Sequence, residues 1–353
     1  MLRVLLRRFK FIFFVLILAW TSLPFSQLFA QFSGYQLSEG SAYNSALSSQ
    51  GIGLNDSASN LTGNPAFFAF HGKHIIEAGA AGSRANSATG PVLLNGGGYY
   101  QFTPALGMGI RFKPIYHRFF PSDERFVNYT GQAIVTYKLN ELFSMGFALG
   151  PSVSNRPGGF SSYSWNATGM FAFHWESLSI GVVLESPGAN RFEAYLGTES
   201  LKERYPERAS IGIKYELTSA LFIYGELHRL FWERSMFSQN GLEERPGFPV
   251  RTMYNGSLGI GYKILETTDL LFGGKKDANP TTSGVLDPVY GVSVGIKNEI
   301  FPSVFGKGLY GSIYLQRTGV FKPNEPFVPE TSLGFQVHSV FDRQIENPVP
   351  PKI

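Results

Sequence analysis

The sequence has no cysteine, few charged residues and no long apolar run beyond its first twenty residues. Without cysteine, neither a disulfide nor a lipid anchor on a cysteine is available. Charged residues make up 16% of the chain, below the usual quarter, whereas Gly (40) and Phe (32) are frequent. A chain of this composition must be held together by an apolar core or by a closed sheet.

The first thirty residues have the layout of a secretory signal peptide. Four basic residues within the first ten precede an unbroken apolar run at 11–20 and small residues up to Ala30. Ten apolar residues are too few to span a bilayer. We therefore predict a signal peptide over residues 1–30 with cleavage after Ala30; the alternative is an uncleaved anchor.

The basic balance of the full chain belongs to this leader. Four of the 30 Lys and Arg residues lie within residues 1–10, and none of the 26 Asp and Glu residues lies within 1–30. The chain that follows is neutral, so its charge gives no indication of a nucleic-acid partner.

From residue 73 onward the sequence alternates with period two, which predicts β-strands. Large apolar residues occupy one face, and Gly, Ser, Lys and Arg occupy the other, as along 208–217. Six hairpins with mostly short turns, plus one strand before and one after them, add up to fourteen strands. An even number of antiparallel strands with a small, polar second face is typical of an outer-membrane β-barrel.

Aromatic residues recur near the short turns, where a barrel would carry its periplasmic aromatic girdle. This assignment places both chain ends in the periplasm. The predicted girdle residues are Tyr99, Tyr100, Tyr137, Trp175, Tyr215 and Tyr262.

Residues 31–72 carry almost no alternation and few charges, which suits a plug inside the barrel. Ser, Asn and Gly can hydrogen-bond to a polar wall without burying unpaired charge. Asn64-Pro65 predicts a turn, after which Phe67, Phe68 and Phe70 would pack against the base of the first strand. The alternative is a periplasmic linker.

The stretch "GIGLNDSASNLTGNPAFFAF" resembles the N-terminal signature of the FadL/TodX-type hydrophobic-compound transporters and the related PorV/PorQ-like barrels. The resemblance implies either passage of hydrophobic molecules through a plugged barrel and out through its wall, or a role in protein export. The matching residues are Asp56, Ala58, Ser59, Asn64, Pro65 and Ala66.

Candidate catalytic and metal-binding motifs are weak. Ser293 lies in a G-x-S-x-G pattern, but the flanking residues predict a strand and not the strand–turn–helix of a nucleophile elbow. His71 and His74 lack further ligands at metal-site spacing. We predict no enzyme activity, no metal and no cofactor.

Four lysines occupy similar positions before the short turns, on the small-residue face. One interpretation is an electropositive lumen rim that favours carboxylates. The other is a set of wetted lysines paired with Glu141, Glu216 and Glu266. The four are Lys138, Lys214, Lys263 and Lys297.

The sequence thus predicts an all-β protein: a transmembrane antiparallel β-barrel of about fourteen strands (73–341) with an N-terminal plug (31–72) and a periplasmic tail (342–353). Asp56, Asn64, Pro65, Phe67 and Phe68 form the predicted plug motif. The predicted function is passive transport of small hydrophobic compounds in the cell outer membrane, in contact with its lipid. The alternative is a secretion accessory that binds a secretion-system partner, or a structural outer-membrane protein.

Overall fold

The fold is known from a computed structural model of the chain. The described residues are 35–38, 42–56, 61–85, 88–89, 92–119, 124–156, 160–186, 189–193, 200–204, 206–234, 236–239, 242–244, 252–277, 289–304, 307–320 and 330–342.

The described residues are mostly β-strand, and their short helical turns lie in the N-terminal part at Ala42–Ala46, Pro65–Phe67 and Phe68–His71, and later at Trp232–Arg234. None of these helices has the length and apolar character needed to cross a membrane. The strands are β1 (Tyr35–Ser38), β2 (Lys73–Ala85), β3 (Ala88–Thr89), β4 (Leu93–Gln101), β5 (Leu106–Phe119), β6 (Glu124–Lys138), β7 (Phe143–Arg156), β8 (Phe160–Trp175), β9 (Leu178–Ser186), β10 (Ala189–Glu193), β11 (Ser200–Arg204), β12 (Arg208–Glu216), β13 (Leu221–Leu230), β14 (Met236–Gln239), β15 (Leu242–Glu244), β16 (Met253–Leu265), β17 (Thr268–Asp277), β18 (Val289–Val304), β19 (Lys307–Val320) and β20 (Glu330–Asp342).

Fourteen of these strands form a closed antiparallel barrel, as the alternation predicts. The wall runs β2, β4, β5, β6, β7, β8, β9, β12, β13, β16, β17, β18, β19 and β20, each paired with its neighbours. The first and last wall strands close the ring along their whole length, from Lys73↔Asp342 to Ala85↔Glu330. Closure leaves no lengthwise sheet edge exposed at the seam.

The two ends of the barrel differ in the length of their connections. The links at 139–142, 176–177, 217–220 and 266–267 are short and lie at the end where β2 begins and β20 finishes. We call this the short-turn end and the opposite one the long-link end. At the long-link end, β10, β11, β14 and β15 form a separate four-stranded sheet from two of the longer links.

The two faces of the wall have the polarity that the period-two pattern predicts. Leu258, Ile110 and Val292 point outward, with 65–73% of their surface exposed, whereas Ser210, Gln132 and Ser312 point inward and are buried. The girdle prediction holds for orientation at Tyr100, Tyr137, Trp175, Tyr215 and Tyr262, which are exposed outside.

The girdle prediction is wrong for Tyr99. Its side chain is 3% exposed and lies inside the barrel, where its hydroxyl bonds to Gln101 and Thr136. Adjacent residues of a strand face opposite sides, so Tyr99 and Tyr100 cannot both reach lipid.

A charge at the middle of the outer face should destabilise the barrel in a membrane. We expect Leu258→Lys to cost about 2–4 kcal/mol, against about 0–1 kcal/mol for Leu265→Lys near the turn of the same strand. Denaturant unfolding in lipid vesicles measures both. Equal costs at the two depths would contradict a lipid-facing outer surface.

Glu207 joins the long-link end of β12 to two neighbouring links. Arg234 Nη1 donates to Glu207 Oε2 at 2.8 Å, and Arg204 Nη2 donates to Glu207 Oε1 at 2.7 Å. The hydrogen bond from Arg234, helped by the charge of Arg204, holds the pKa of Glu207 below its ordinary value of 4.5.

This lowered pKa predicts acid loosening at the long-link end. The stabilisation is present above the ordinary pKa of Glu207 and is lost as the pH falls from about 4.5 through the lowered value. We expect the amide protection factors of β11 and β14 to fall over that range in the wild type, and to vary much less in Glu207→Gln. The same acid response in both proteins would contradict the assignment.

Candidate functional site

The described residues of the N-terminal segment, 42–56 and 61–71, lie on the inner side of the barrel wall. It contacts inward-facing groups of β5, β7, β8, β13, β18 and β20, which are distributed around the wall. Apolar side chains of the segment are fully buried, among them Leu47, Leu54 and Leu61. The described residues of the segment therefore contact the inner face of the wall on several sides.

Glu226 of β13 holds the middle of the segment by its backbone. The carboxylate accepts the N–H of Gln50 at 2.7 Å and of Ile52 at 2.6 Å, together with bonds from Tyr224 and His228. One buried carboxylate thus accepts hydrogen bonds from two backbone N–H groups that lie outside any helix or strand. These bonds fix the path of the chain.

Asp56 of the predicted plug motif meets Lys297 of the predicted rim. Lys297 Nζ donates to Asp56 Oδ2 at 2.9 Å and Oδ1 at 3.1 Å, and lies 3.6 Å from Asp269 Oδ2. The ammonium also lies 5.1 Å from the ring centre of Tyr43. Lys297 is therefore an anchor of the segment, and its charge does not simply face an open mouth.

Asn64 and Pro65 form the predicted turn. Asn64 Oδ1 accepts the N–H of Ala66 at 3.2 Å and caps the helical turn that Pro65 begins. Asn64 Nδ2 donates to the carbonyls of Ile52 at 3.1 Å and Phe171 at 2.9 Å, so the same side chain ties the turn to the segment and to β8.

Phe67 and Phe68 are both fully buried, as the expected packing against the wall requires. The ring of Phe68 lies 4.6 Å from that of Tyr99 on β4, and Ile75 at the start of β2 belongs to the same cluster. The inward face is apolar here, with Met170 of β8 in the cluster, because the segment covers it.

Wall glycines let the segment approach the sheet backbone. A Cβ at Gly181, Gly273 or Gly259 would lie closer than 3.0 Å to Ile52 or Leu47, a separation that real Cβ atoms essentially never show. These glycines occupy inward positions of β9, β17 and β16. The segment thus packs directly against the backbone of the small-residue face.

The other rim lysines are wetted to different degrees. Lys138 pairs with Glu141 and Lys214 with Glu216, each at 2.6 Å, whereas Lys263 is exposed. Of the motif residues in the resemblance, Ala58 and Ser59 lie outside the described residues.

A small polar cavity of about 30 Å³ lies between the segment and the wall. Its lining includes Ser48 and Ser49 of the segment with Arg208, His228 and Asn255 of the wall. Among the described residues, no three His, Asp or Glu side chains are grouped to hold a metal ion.

The barrel wall is interrupted between β4 and β5. Their ladder runs from Gln101↔Gly107 to Gly96↔Phe112 and stops, although β5 continues to Phe119. Pro114 lies in the part of β5 that pairs with β6 but is outside the β4 ladder, and proline has no N–H to donate to a ladder. Higher up, β1 pairs with 116–119 of β5 in place of β4. The interruption therefore spans 113–115 of β5, about 10 Å at the usual rise per residue.

Sequence reasoning missed Glu226 and Arg111. Arg111 of β5 lies 3.4 Å from the carbonyls of Leu61 and Thr62 and donates to Gln132. Charged residues on an otherwise small inward face were the available signal, but their partners lie far away in sequence.

We expect Glu226→Gln to loosen the segment without opening the barrel. A neutral amide has only one acceptor oxygen, so a buried N–H of Gln50 or Ile52 loses its partner, at a cost of about 1–3 kcal/mol. Hydrogen exchange at these two amides should quicken about tenfold or more.

The matched control for this change is Glu141→Gln at the exposed rim, where the carboxylate is 89% exposed and the expected effect is small. Unchanged exchange at Gln50 and Ile52 in Glu226→Gln would contradict the role given to Glu226.

No protein-family model matches the sequence, and no curated protein matches it. Among solved structures, the chain is similar to the CymD monoaromatic hydrocarbon channel, with 14% identity, a TM-score of 0.64 and coverage of 86% of this chain and 97% of that one. It is also similar to a FadL homologue of Pseudomonas aeruginosa, with 14% identity, a TM-score of 0.64 and coverage of 89% of this chain and 100% of that one. A third similar structure is the Pseudomonas putida toluene transporter TodX, with 11% identity, a TM-score of 0.60 and coverage of 90% of this chain and 100% of that one.

These likenesses show a shared fold. The chain has the fourteen-stranded fold of the FadL/TodX-type proteins, as the resemblance of its N-terminal stretch predicts.

Proposed function

We propose that the protein lies in an outer membrane and lets small hydrophobic compounds pass through a plugged barrel and out through the wall. In this proposal residues 1–30 are a cleaved signal peptide, 31–72 are the plug, and the short-turn end faces the periplasm. The exposed apolar outer face supports the membrane location, because burying it in lipid removes it from water.

The interruption beside β5 is the observation that carries the proposal. Below it, the N-terminal segment fills the lumen and is bonded to strands around the wall. A solute that enters from the long-link end would meet this obstruction and find the end of the β4–β5 ladder at 113–115 on one side. A hydrophobic solute would gain by leaving there into lipid, whereas a polar one would not.

The names of two similar structures agree with this substrate class. One is described as a monoaromatic hydrocarbon channel and another as a toluene transporter. We carry over the class, small hydrophobic compounds, as the proposed substrate of this chain.

A second candidate function is that of a secretion accessory. The four-stranded sheet β10-β11-β14-β15 is a platform at the long-link end that could bind a protein partner. Co-purification from the native membrane separates the two: a stoichiometric protein partner favours the accessory, and bound hydrophobic compound alone favours transport.

Transport is tested by sealing the wall reversibly. Leu93 and Ile115 would face each other if the β4–β5 ladder continued. The chain has no native cysteine, so Leu93→Cys with Ile115→Cys can be cross-linked without background. We expect toluene uptake by vesicles containing the protein to fall at least tenfold on cross-linking and to recover on reduction.

The matched control is Tyr100→Cys with Met108→Cys, which are partners in the intact part of the same ladder. Cross-linking there should leave uptake unchanged. Toluene uptake that persists through a fully cross-linked Leu93/Ile115 pair would refute exit through this wall.

A further inference from the structure

A chain of buried charges crosses the lumen from β5 to β9 and β12. Lys113 Nζ lies 3.0 Å from Glu185 Oε1, and the two side chains are 3% and 5% exposed. Arg208 Nη2 bonds to the other oxygen of the same carboxylate. We call Lys113, Glu185 and Arg208 the crossbar.

The crossbar is supported by a polar network on the same side of the barrel. Asn166 Nδ2 donates to Glu185 Oε1 at 3.1 Å, and Gln132 Nε2 donates to Asn166 Oδ1. Arg111 Nε donates to Gln132 Oε1 at 2.7 Å. Two residues of β5 are therefore connected to Glu185. Lys113 bonds to it directly, and Arg111 is connected to it through Gln132 and Asn166.

The length of the crossbar shows that β5 and β9 lie closer together than they would in a round barrel. Three strands separate β5 from β9. In a round fourteen-stranded barrel of ordinary spacing and tilt, backbones four strands apart stay about 19 Å from each other. Fully extended Lys and Glu side chains in contact span only about 14 Å. The segment of wall that carries Lys113 and Glu185 is therefore drawn together across the lumen.

The ion pair of Lys113 with Glu185 lies at the position where the β4–β5 ladder stops. Phe112 is the last residue of β5 to pair with β4, and Lys113 is the next residue. The ion pair of Lys113 with Glu185 attracts β5 toward β9, whereas β4 lies on the opposite side of β5. Pro114 removes one donor of the missing ladder, and the crossbar keeps the two strands from closing over it.

We propose that the crossbar is a positioning device that holds β5 away from β4 and so sets the width of the wall opening. Lys113, Glu185 and Arg208 are positioning residues that act through the backbone of β5 and need not touch the solute. The role of that opening in transport rests on the proposed function, but the position of β5 can be measured independently.

The test uses the Leu93→Cys, Ile115→Cys pair as a ruler in detergent-purified protein. Thiol-reactive linkers of graded length report the separation of the two strands. Lys113→Met keeps the apolar stem of Lys113 and removes its ammonium. We expect β5 to relax toward β4, so that the shortest linkers, or a direct disulfide, form at least ten times faster than with Lys113 present.

Two further variants separate position from general loosening. Lys113→Arg keeps the charge and should react like the parent. Lys275→Met removes another buried lumen ammonium and should also react like the parent. Lys275 pairs with Asp277 at 3.1 Å, and both residues lie on β17 and not on β5. Faster cross-linking in Lys275→Met as well would refute a specific crossbar.

Glu185→Asp covers the case in which Lys113→Met does not fold. It retains every charge and shortens the bridge by one methylene, so the Leu93/Ile115 pair should require a longer linker than in the parent. An unchanged or shorter linker requirement would refute the crossbar.

Uptake measurements distinguish this inference from the function on which it rests. If toluene uptake falls in Lys113→Met as short cross-links appear, both ideas are supported. If cross-linking changes but the parent protein takes up no toluene, the crossbar stands and the transport proposal fails. Uptake by the parent with unchanged cross-linking in Lys113→Met overturns the crossbar alone.

Discussion

The structure depends on the antiparallel ladder between β2 and β20, which closes the barrel. It joins residues from opposite ends of the barrel sequence, from Lys73↔Asp342 to Ala85↔Glu330. In hydrocarbon an unpaired backbone donor or acceptor costs several kcal/mol, so an open sheet of this kind would not be stable there. Closure also creates the inside: it turns one face of every strand into the wall of a lumen.

The lumen explains the composition of the inward face. A closed barrel of this size leaves space, and the described residues of the N-terminal segment pack against its inner face. The wall supplies glycines where the segment lies against the sheet, and inward-facing charged side chains as partners for the segment, as at Glu226 and Lys297. The inward face is therefore neither a core nor a water-filled channel along its whole length.

One strand combines the features that bear on passage. β5 loses its neighbour β4 after Phe112 and pairs with β1 at its tip. Its inward side chains Arg111 and Lys113 contact the N-terminal segment and Glu185 of β9, respectively. A local break in a ladder is tolerated because side chains and a neighbouring strand restrain the freed region. The asymmetry of the barrel is concentrated on this strand.

The sequence by itself determined the number of wall strands, the alternation of their two faces and the turn at Asn64-Pro65, because period two and turn chemistry are local properties. It could not place Tyr99 correctly while it grouped residues by type instead of by parity. Only the tertiary structure decided which inward charges meet. Asp56 finds Lys297 and Lys113 finds Glu185 because closure brings distant strands around one lumen, and nothing in the spacing of those residues encodes that distance.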